Sequence, residues 1–346
     1  MTPGVRRLTP GRRLIALGTG ILVAATLAGC SSSQEVYVGR PADPAGSTSP
    51  TPTLTPAVPG KSGVARAYTV KVGATTRTYR LHIPLAAPPG PRPLIIAFHD
   101  AGSTADQLRE ESGLDGAGDR GGVIVAYPEA VSGHWNNGLP ANAALSRNAD
   151  DLALVPALIL DVAKRARLDS SRVIASGIGD GAVMALRVGS QAPKYVRGVA
   201  AIEGGLVNAP GAPRPRSPMS LLLIRATEDP NLPWTGTDDS RSNGPQMSAD
   251  DTVGAFRAAD RLTKKSVETE RQVPDRDPAD GSLAFRSRWI GGLNGTFVTL
   301  YKLAGAGGAW PGGTGQSART RDIGALTRDI SGANTVVQFA VESTKL

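Results

Sequence analysis

One cysteine in 346 residues excludes an internal disulfide, a Cys-based zinc site and a Cys-x-x-Cys redox pair. Histidine is almost as scarce: His82, His99 and His134 are the only three, all in the first half of the chain. The N-terminal apolar stretch Leu14–Leu27 is too short to span a bilayer comfortably, so the chain is no membrane bundle. Its formal net charge of +8 would suit a nucleic-acid partner, but Arg6, Arg7, Arg12 and Arg13 supply four of those charges. The remaining basic residues are scattered among acids rather than gathered in a stripe, and no nucleic-acid partner is expected. What is plentiful is glycine and proline, 42 and 27 residues, beside 40% apolar and 20% charged positions. This suits a soluble globular body with at least one unstructured segment.

Residues 1–29 join a basic leader to that apolar stretch, the pattern of a signal peptide. The segment closes on Leu27-Ala28-Gly29-Cys30, which resembles the lipobox of bacterial lipoproteins. The resemblance implies that Cys30 receives a diacylglyceryl group, becomes the new N-terminus and anchors the protein to the outer face of the cell membrane, since two acyl chains hold stably. Residues 30–63 are rich in Ser, Thr, Pro and Gly, cannot bury enough surface to order themselves, and read as a tether. Residues 64–346 then form one large domain.

Strand-like runs fall at 68–72, 78–83, 94–98, 123–127, 172–176, 196–202 and 221–225. The clearest helix is Asp150–Leu168, with an apolar stripe, Asp150 and Asp151 as N-terminal capping residues, and Pro156 predicting a kink or a later start. A second helix, Ala182–Gln191, follows a glycine-rich turn. An early hairpin followed by alternating strands and helices predicts an α/β fold, an open, mostly parallel sheet with helices on both faces. Ligands bind such sheets at the carboxyl ends of the strands, which singles out the loops after Phe98, Tyr127, Ser176 and Arg225.

The segment 172–185 is a buried strand, the turn Gly177-Ile178-Gly179-Asp180-Gly181 and a helix start. With Phe98-His99, Ala126-Tyr127-Pro128-Glu129, His134-Trp135-Asn136, Asp150-Asp151, Ala226-Thr227-Glu228-Asp229-Pro230 and Ala309-Trp310-Pro311-Gly312-Gly313 in that order, the chain from residue 68 to about 340 resembles the polyhydroxybutyrate depolymerase and feruloyl esterase family of the α/β-hydrolase fold. In that family the turn is G-x-S-x-G, with the serine as nucleophile on a strained elbow. The serine position here is Gly179, which has no nucleophile but accepts elbow geometry. The resemblance places the catalytic acid at Asp229, which is retained, and the histidine at Gly308, which is not. Chain order agrees, because all three histidines precede the elbow and none can supply the base in its usual place. The oxyanion donors correspond to the backbone of Ala101 and Asp180, and the carboxylates of Asp100 and Asp180 would oppose developing negative charge.

Alternatives remain on the same residues. Gly177-x-Gly179-x-x-Ala182, with Glu203 ending the next strand, also fits a dinucleotide fingerprint, which would make the chain a nucleotide-binding protein. Asp180 could stand as an elbow carboxylate nucleophile, but it sits one residue late. The run Asp275–Gly281 breaks the spacing of a calcium loop and reads as an acidic turn, and Asn294-Gly295 reads as a hairpin turn. His99 reads as a hydrogen-bonded residue at a strand end, and no metal or cofactor is expected. Trp135, Trp234 and Trp310 map to loops at the carboxyl edge of the sheet, where, with His99 and Asp100, they either line a pocket and stack a ligand or pack the loops down, and Trp310, matching the family's Trp beside the lost histidine, reads as structural. The resulting expectation is an esterase-like lipoprotein with broken hydrolytic machinery, a binding module for a small or polymeric ester. The alternative is an active hydrolase of polyhydroxyalkanoate or feruloylated polysaccharide.

Overall fold

The computed structural model describes residues 65–84, 89–139, 142, 146–147, 149–238, 244–263, 267–314 and 323–343. The expected signal peptide, the tether and Cys30 lie outside the described residues. In chain order the strands and α-helices are β1 (Arg66–Val72), β2 (Thr75–His82), β3 (Arg92–Phe98), α1 (Ala105–Ser112), α2 (Leu114–Gly121), β4 (Ile124–Pro128), α3 (Asp151–Ala163), β5 (Leu168–Ile178) and α4 (Asp180–Gln191). They continue with β6 (Gly198–Ile202), β7 (Ser220–Ala226), α5 (Ala249–Ala259), β8 (Val267–Gln272), β9 (Leu283–Trp289), β10 (Val298–Ala304) and α6 (Gly332–Glu342).

Among the described residues ten strands join one sheet in the order β1-β2-β4-β3-β5-β6-β7-β10-β9-β8. From β4 to β10 the neighbours run parallel, and antiparallel strands finish both edges. The central strands are continuous apolar runs because both of their faces are covered. In β3, Leu94, Ile96 and Phe98 face the layer containing α3, α4 and α5, while Ile95 and Ala97 face the layer of α1, α2 and α6. The chain winds outward from β3 to β4, then returns across it to β5 and continues the other way. Strand order therefore reverses at the β3/β5 boundary, and the crevice at the carboxyl ends of these two strands is where an open sheet of this kind holds its ligand.

Helix α3 runs from Asp151 through Pro156 but stops at Ala163, short of the expected Leu168, which instead opens β5. Asp150 caps it, accepting the Ala153 N–H at 2.9 Å, as the sequence suggested. Asp151 is a correction: its carboxylate takes Arg77 Nη1 at 2.6 Å and the Asn136 N–H at 2.7 Å, joining β2, the 136 loop and the helix in a buried ion pair. Asn294 and Gly295 both take positive φ between β9 and β10, the backbone that turns this antiparallel pair.

Candidate functional site

The carboxyl ends of β3 and β5 bring Asp100 and Gly179 together. Three glycines permit the elbow. A Cβ at Gly181 would overlap the carbonyl of Phe98, and one at Gly177 would overlap the backbone of Gly181, so helix α4 can start only this close to the sheet without side chains at either position. Gly179, at φ 56° and ψ −124°, holds the strained turn itself, and its N–H donates to the Ile202 carbonyl at 3.0 Å.

What fills the space above Gly179 is the carboxylate of Asp100. A Cβ at residue 179 would overlap Asp100 Oδ1, so the carboxylate stands where a nucleophilic side chain would project. The same oxygen accepts the Ala101 N–H at 2.8 Å and the Asp180 N–H at 2.9 Å. These are the two backbone groups that the family resemblance assigns to the oxyanion. Here they converge on an anion supplied by the chain, at the N-terminus of a helix, where negative charge is favoured.

The side chain of Asp180 turns elsewhere. Its Oδ2 accepts Asn142 Nδ2 at 2.6 Å, while Oδ1 is buried without a partner. Burial, then the neighbouring Asp100 charge, push this carboxyl up to about 7, and a proton on Oδ1 relieves both. Asp229, after β7, accepts the Asn231 N–H at 2.8 Å, and burial raises its pKa as well. A Cβ at Gly308 would stand only 2.6 Å from Asp229 Oδ2, so the retained acid leans into the space where the histidine side chain would begin.

No imidazole substitutes for the missing one among the described residues. His82 Nε2 pairs with Asp119 at 2.9 Å, and His134 lies in the short turn opened by Val131. His99 is fully buried: its Nδ1–H donates to the Asp100 carbonyl at 2.7 Å and its Nε2 accepts the Ala130 N–H at 3.1 Å. That neutral tautomer agrees with a pKa lowered by burial. Ser103 Oγ reaches Gln107 at 3.2 Å, and Ser176 Oγ is buried and unpaired. Among the described residues no hydroxyl is hydrogen-bonded to an imidazole. Asp100, Ser103, Ile178 and Gly308 border a cavity of about 20 Å³, room for about one water molecule. Pockets for small organic ligands enclose roughly 300–1,000 Å³.

Two expectations need correction, ligand stacking on Trp135 and Trp310 and the dinucleotide fingerprint. Trp135 and Trp310 are 0% and 1% exposed and cannot stack a ligand; Trp135 packs edge-on against Phe98 and donates to the His99 carbonyl at 2.8 Å, fixing the loop beneath Asp100. Trp234 is half-buried, with Nε1 donating to Asp250 at 3.1 Å and the Lys302 ammonium over its ring. The dinucleotide reading fails at the helix N-terminus, where Asp100 occupies the place a pyrophosphate would take. Glu203 is likewise committed, accepting the Ala226 N–H at 2.9 Å and facing the fully buried Arg225 at 3.6 Å. In the acidic turn, Asp280 accepts from Ser282 and from the distant Arg328 N–H.

A parallel sheet reversing at β3/β5, a glycine elbow opening a helix there, and an acid after β7 define the α/β-hydrolase class. No family model matches the chain. NocK of Nocardia uniformis subsp. tsuyamanensis, an esterase by name, is 30% identical over 334 residues, covering 93% of this chain and 96% of that one. The chain belongs to this family of α/β-hydrolase esterases. A protein named as feruloyl esterase C of Aspergillus flavus is 27% identical over 117 residues, 34% of this chain and 39% of its own. Among solved structures, an acetyl xylan esterase from Aspergillus awamori aligns at 14% identity over 74% of this chain and 98% of that one, with a TM-score of 0.48.

Proposed function

We propose that this chain is a non-hydrolytic member of its esterase family, a binding protein displayed outside the cell on a lipid anchor at Cys30. The observation that carries the reading is the Asp100 carboxylate, which stands in the nucleophile's space and takes both backbone donors that would stabilise an oxyanion. An ester carbonyl entering there would meet a fixed negative charge instead of a hydroxyl, at the atom where its own negative charge must develop. Gly179 and Gly308 remove the nucleophile and base, and losing triad members alone leaves about 10³–10⁴-fold acceleration over water in serine hydrolases, from the oxyanion hole and binding. With the hole self-occupied, that residue of catalysis goes too.

The test is turnover of p-nitrophenyl acetate and butyrate by the purified full chain. The expected rate is that of buffer. Turnover at an ordinary enzymatic rate, about 1 s⁻¹ or more, that Asp229→Ala abolishes overturns the reading. One observation favours a second reading, an active ester hydrolase with a rearranged site: NocK, alike over nearly its whole length, is named an esterase. A fluorophosphonate adduct on Ser103 or Ser176 supports that reading, and absence of labelling counts against it. For the anchor, Cys30→Ser releases the protein from the membrane fraction into the medium if the lipid reading holds.

A further inference from the structure

A second cavity, about 310 Å³, runs along the flank of α4 from Val183 in its first turns to Gln191 at its end. It shares no lining residue with the small cavity beside Asp100. Val183 and Leu186 form one wall, and Val207, Pro210 and Pro213, from the loop after β6, form the other. That loop is fixed in place. Asn208 N–H donates to Pro245 at 2.8 Å, Ala212 N–H closes a turn on Ala209 at 3.0 Å, and Arg214 Nη1 reaches the Val207 carbonyl at 2.9 Å. Two prolines stiffen it further, so the cavity is preformed.

One of its lining residues is a cation without an ionic partner among the described residues. Arg187 of α4 is half-buried and held by neutral acceptors only: Gln191 Oε1 at 2.6 Å from Nε, and Asn136 Oδ1 together with the Asn136 carbonyl on Nη1. Among the described residues no carboxylate lies within ion-pair distance of it, and Nη2 has no protein partner. Asp150 and Asp151 act on it only from farther off, and Asp151 is already neutralised by Arg77. A half-buried guanidinium whose Nη2 no described protein group takes up suits an oxyanion, and apolar walls beside it suit a hydrocarbon body. Among the residues lining the cavity Arg187 is the one cation, Arg214 being spent on the carbonyls of Val207, Ala212 and Pro213, and this matches a single negative charge.

We propose that this cavity binds a small amphiphilic monocarboxylate, its head on Arg187 and its apolar body between α4 and the 206–213 loop. This site is independent of whether the Asp100 region hydrolyses anything. The volume suits a chain of about eight carbons, being near the lower bound of about 300 Å³ for small-molecule pockets.

The probe is octanoate, titrated into the full chain by calorimetry beside its uncharged counterpart octanamide. One saturable site is expected, with octanoate at least about tenfold tighter, as a charge-assisted contact provides. Arg187→Gln removes that preference. Ala212→Trp, which adds bulk from the 206–213 loop and leaves Arg187 in place, weakens both ligands at least about tenfold. Circular dichroism confirms that both variants are folded. No saturable binding, equal affinity for octanoate and octanamide, or wild-type affinity in the folded Ala212→Trp variant overturns the proposal.

Discussion

The contact between residues 100 and 179 can be measured as a coupling energy. Replacing Gly179 by Ala adds one Cβ, which in the wild-type background costs two things. The first is backbone strain at φ 56° and ψ −124°, of order 1–3 kcal/mol for a non-glycine residue. The second is overlap with the Asp100 carboxylate, which must swing out or push back the elbow, roughly 1–3 kcal/mol by analogy with overpacked interiors. Asp100→Gly alone gives up two hydrogen bonds to a charged acceptor, about 1.5–3 kcal/mol each before water replaces the carboxylate. It also relieves the repulsion that Asp100 exerts on Asp180 and Asp229. In the Asp100→Gly background, Gly179→Ala meets only the strain, so the double variant should be more stable than the sum of the single changes predicts by about 1–3 kcal/mol. Urea unfolding of the four proteins, with unchanged m values as the check on two-state behaviour, supplies the cycle. Effects that add to within about 0.5 kcal/mol would show that the carboxylate does not fill the elbow, and the argument for a closed site would go with it.

Asp180 makes stability pH-dependent in a defined sense. Its folded pKa of about 7 lies above the ordinary 3.8, so the native state holds a proton that the unfolded state has lost between those values. Its contribution is fully present below about pH 4 and is lost as pH rises toward 7, with a slope of at most about 1.4 kcal/mol per pH unit for one proton. Asp180→Asn should flatten the urea midpoint over that range, and an unchanged profile would remove Asp180 as the titrating group. Asp151→Ala strands the buried Arg77 and should cost about 3–5 kcal/mol, against about 1 kcal/mol for the capping variant Asp150→Ala. Equal losses in thermal or urea unfolding would mean that Asp151 is no more than a cap.

The order of strands and helices was legible because buried parallel strands announce themselves as apolar runs and the elbow as a glycine series. Gly179 and Gly308 were legible as missing functional groups only through the family pattern, since glycine alone says nothing of what is absent. The use of Asp100 was not legible. Sequence reading set two carboxylates, Asp100 and Asp180, against an oxyanion, whereas the fold sends one into the hole as its occupant and turns the other toward Asn142. A clue was present in the pair itself: a side chain missing on the elbow and a carboxylate at the facing strand end. The tryptophans misled for a physical reason. A large ring in a loop at the sheet edge can face solvent or pin the loop down, and nothing in a single sequence tells these apart; Trp135 pins. Arg187 and its cavity were invisible because they need α4 and the 206–213 loop side by side.

A working hydrolase keeps its two oxyanion dipoles aimed at a charge that exists only fleetingly, and a single such donor is worth about 2.7–4 kcal/mol to the transition state. For the rest of its lifetime that orientation is a standing frustration of the folded chain, one source of the conflict between durability and turnover. In this structure the chain answers the corresponding N–H groups with its own Asp100. The contact belongs to the ground state, and it ties together the two strands between which the sheet changes direction.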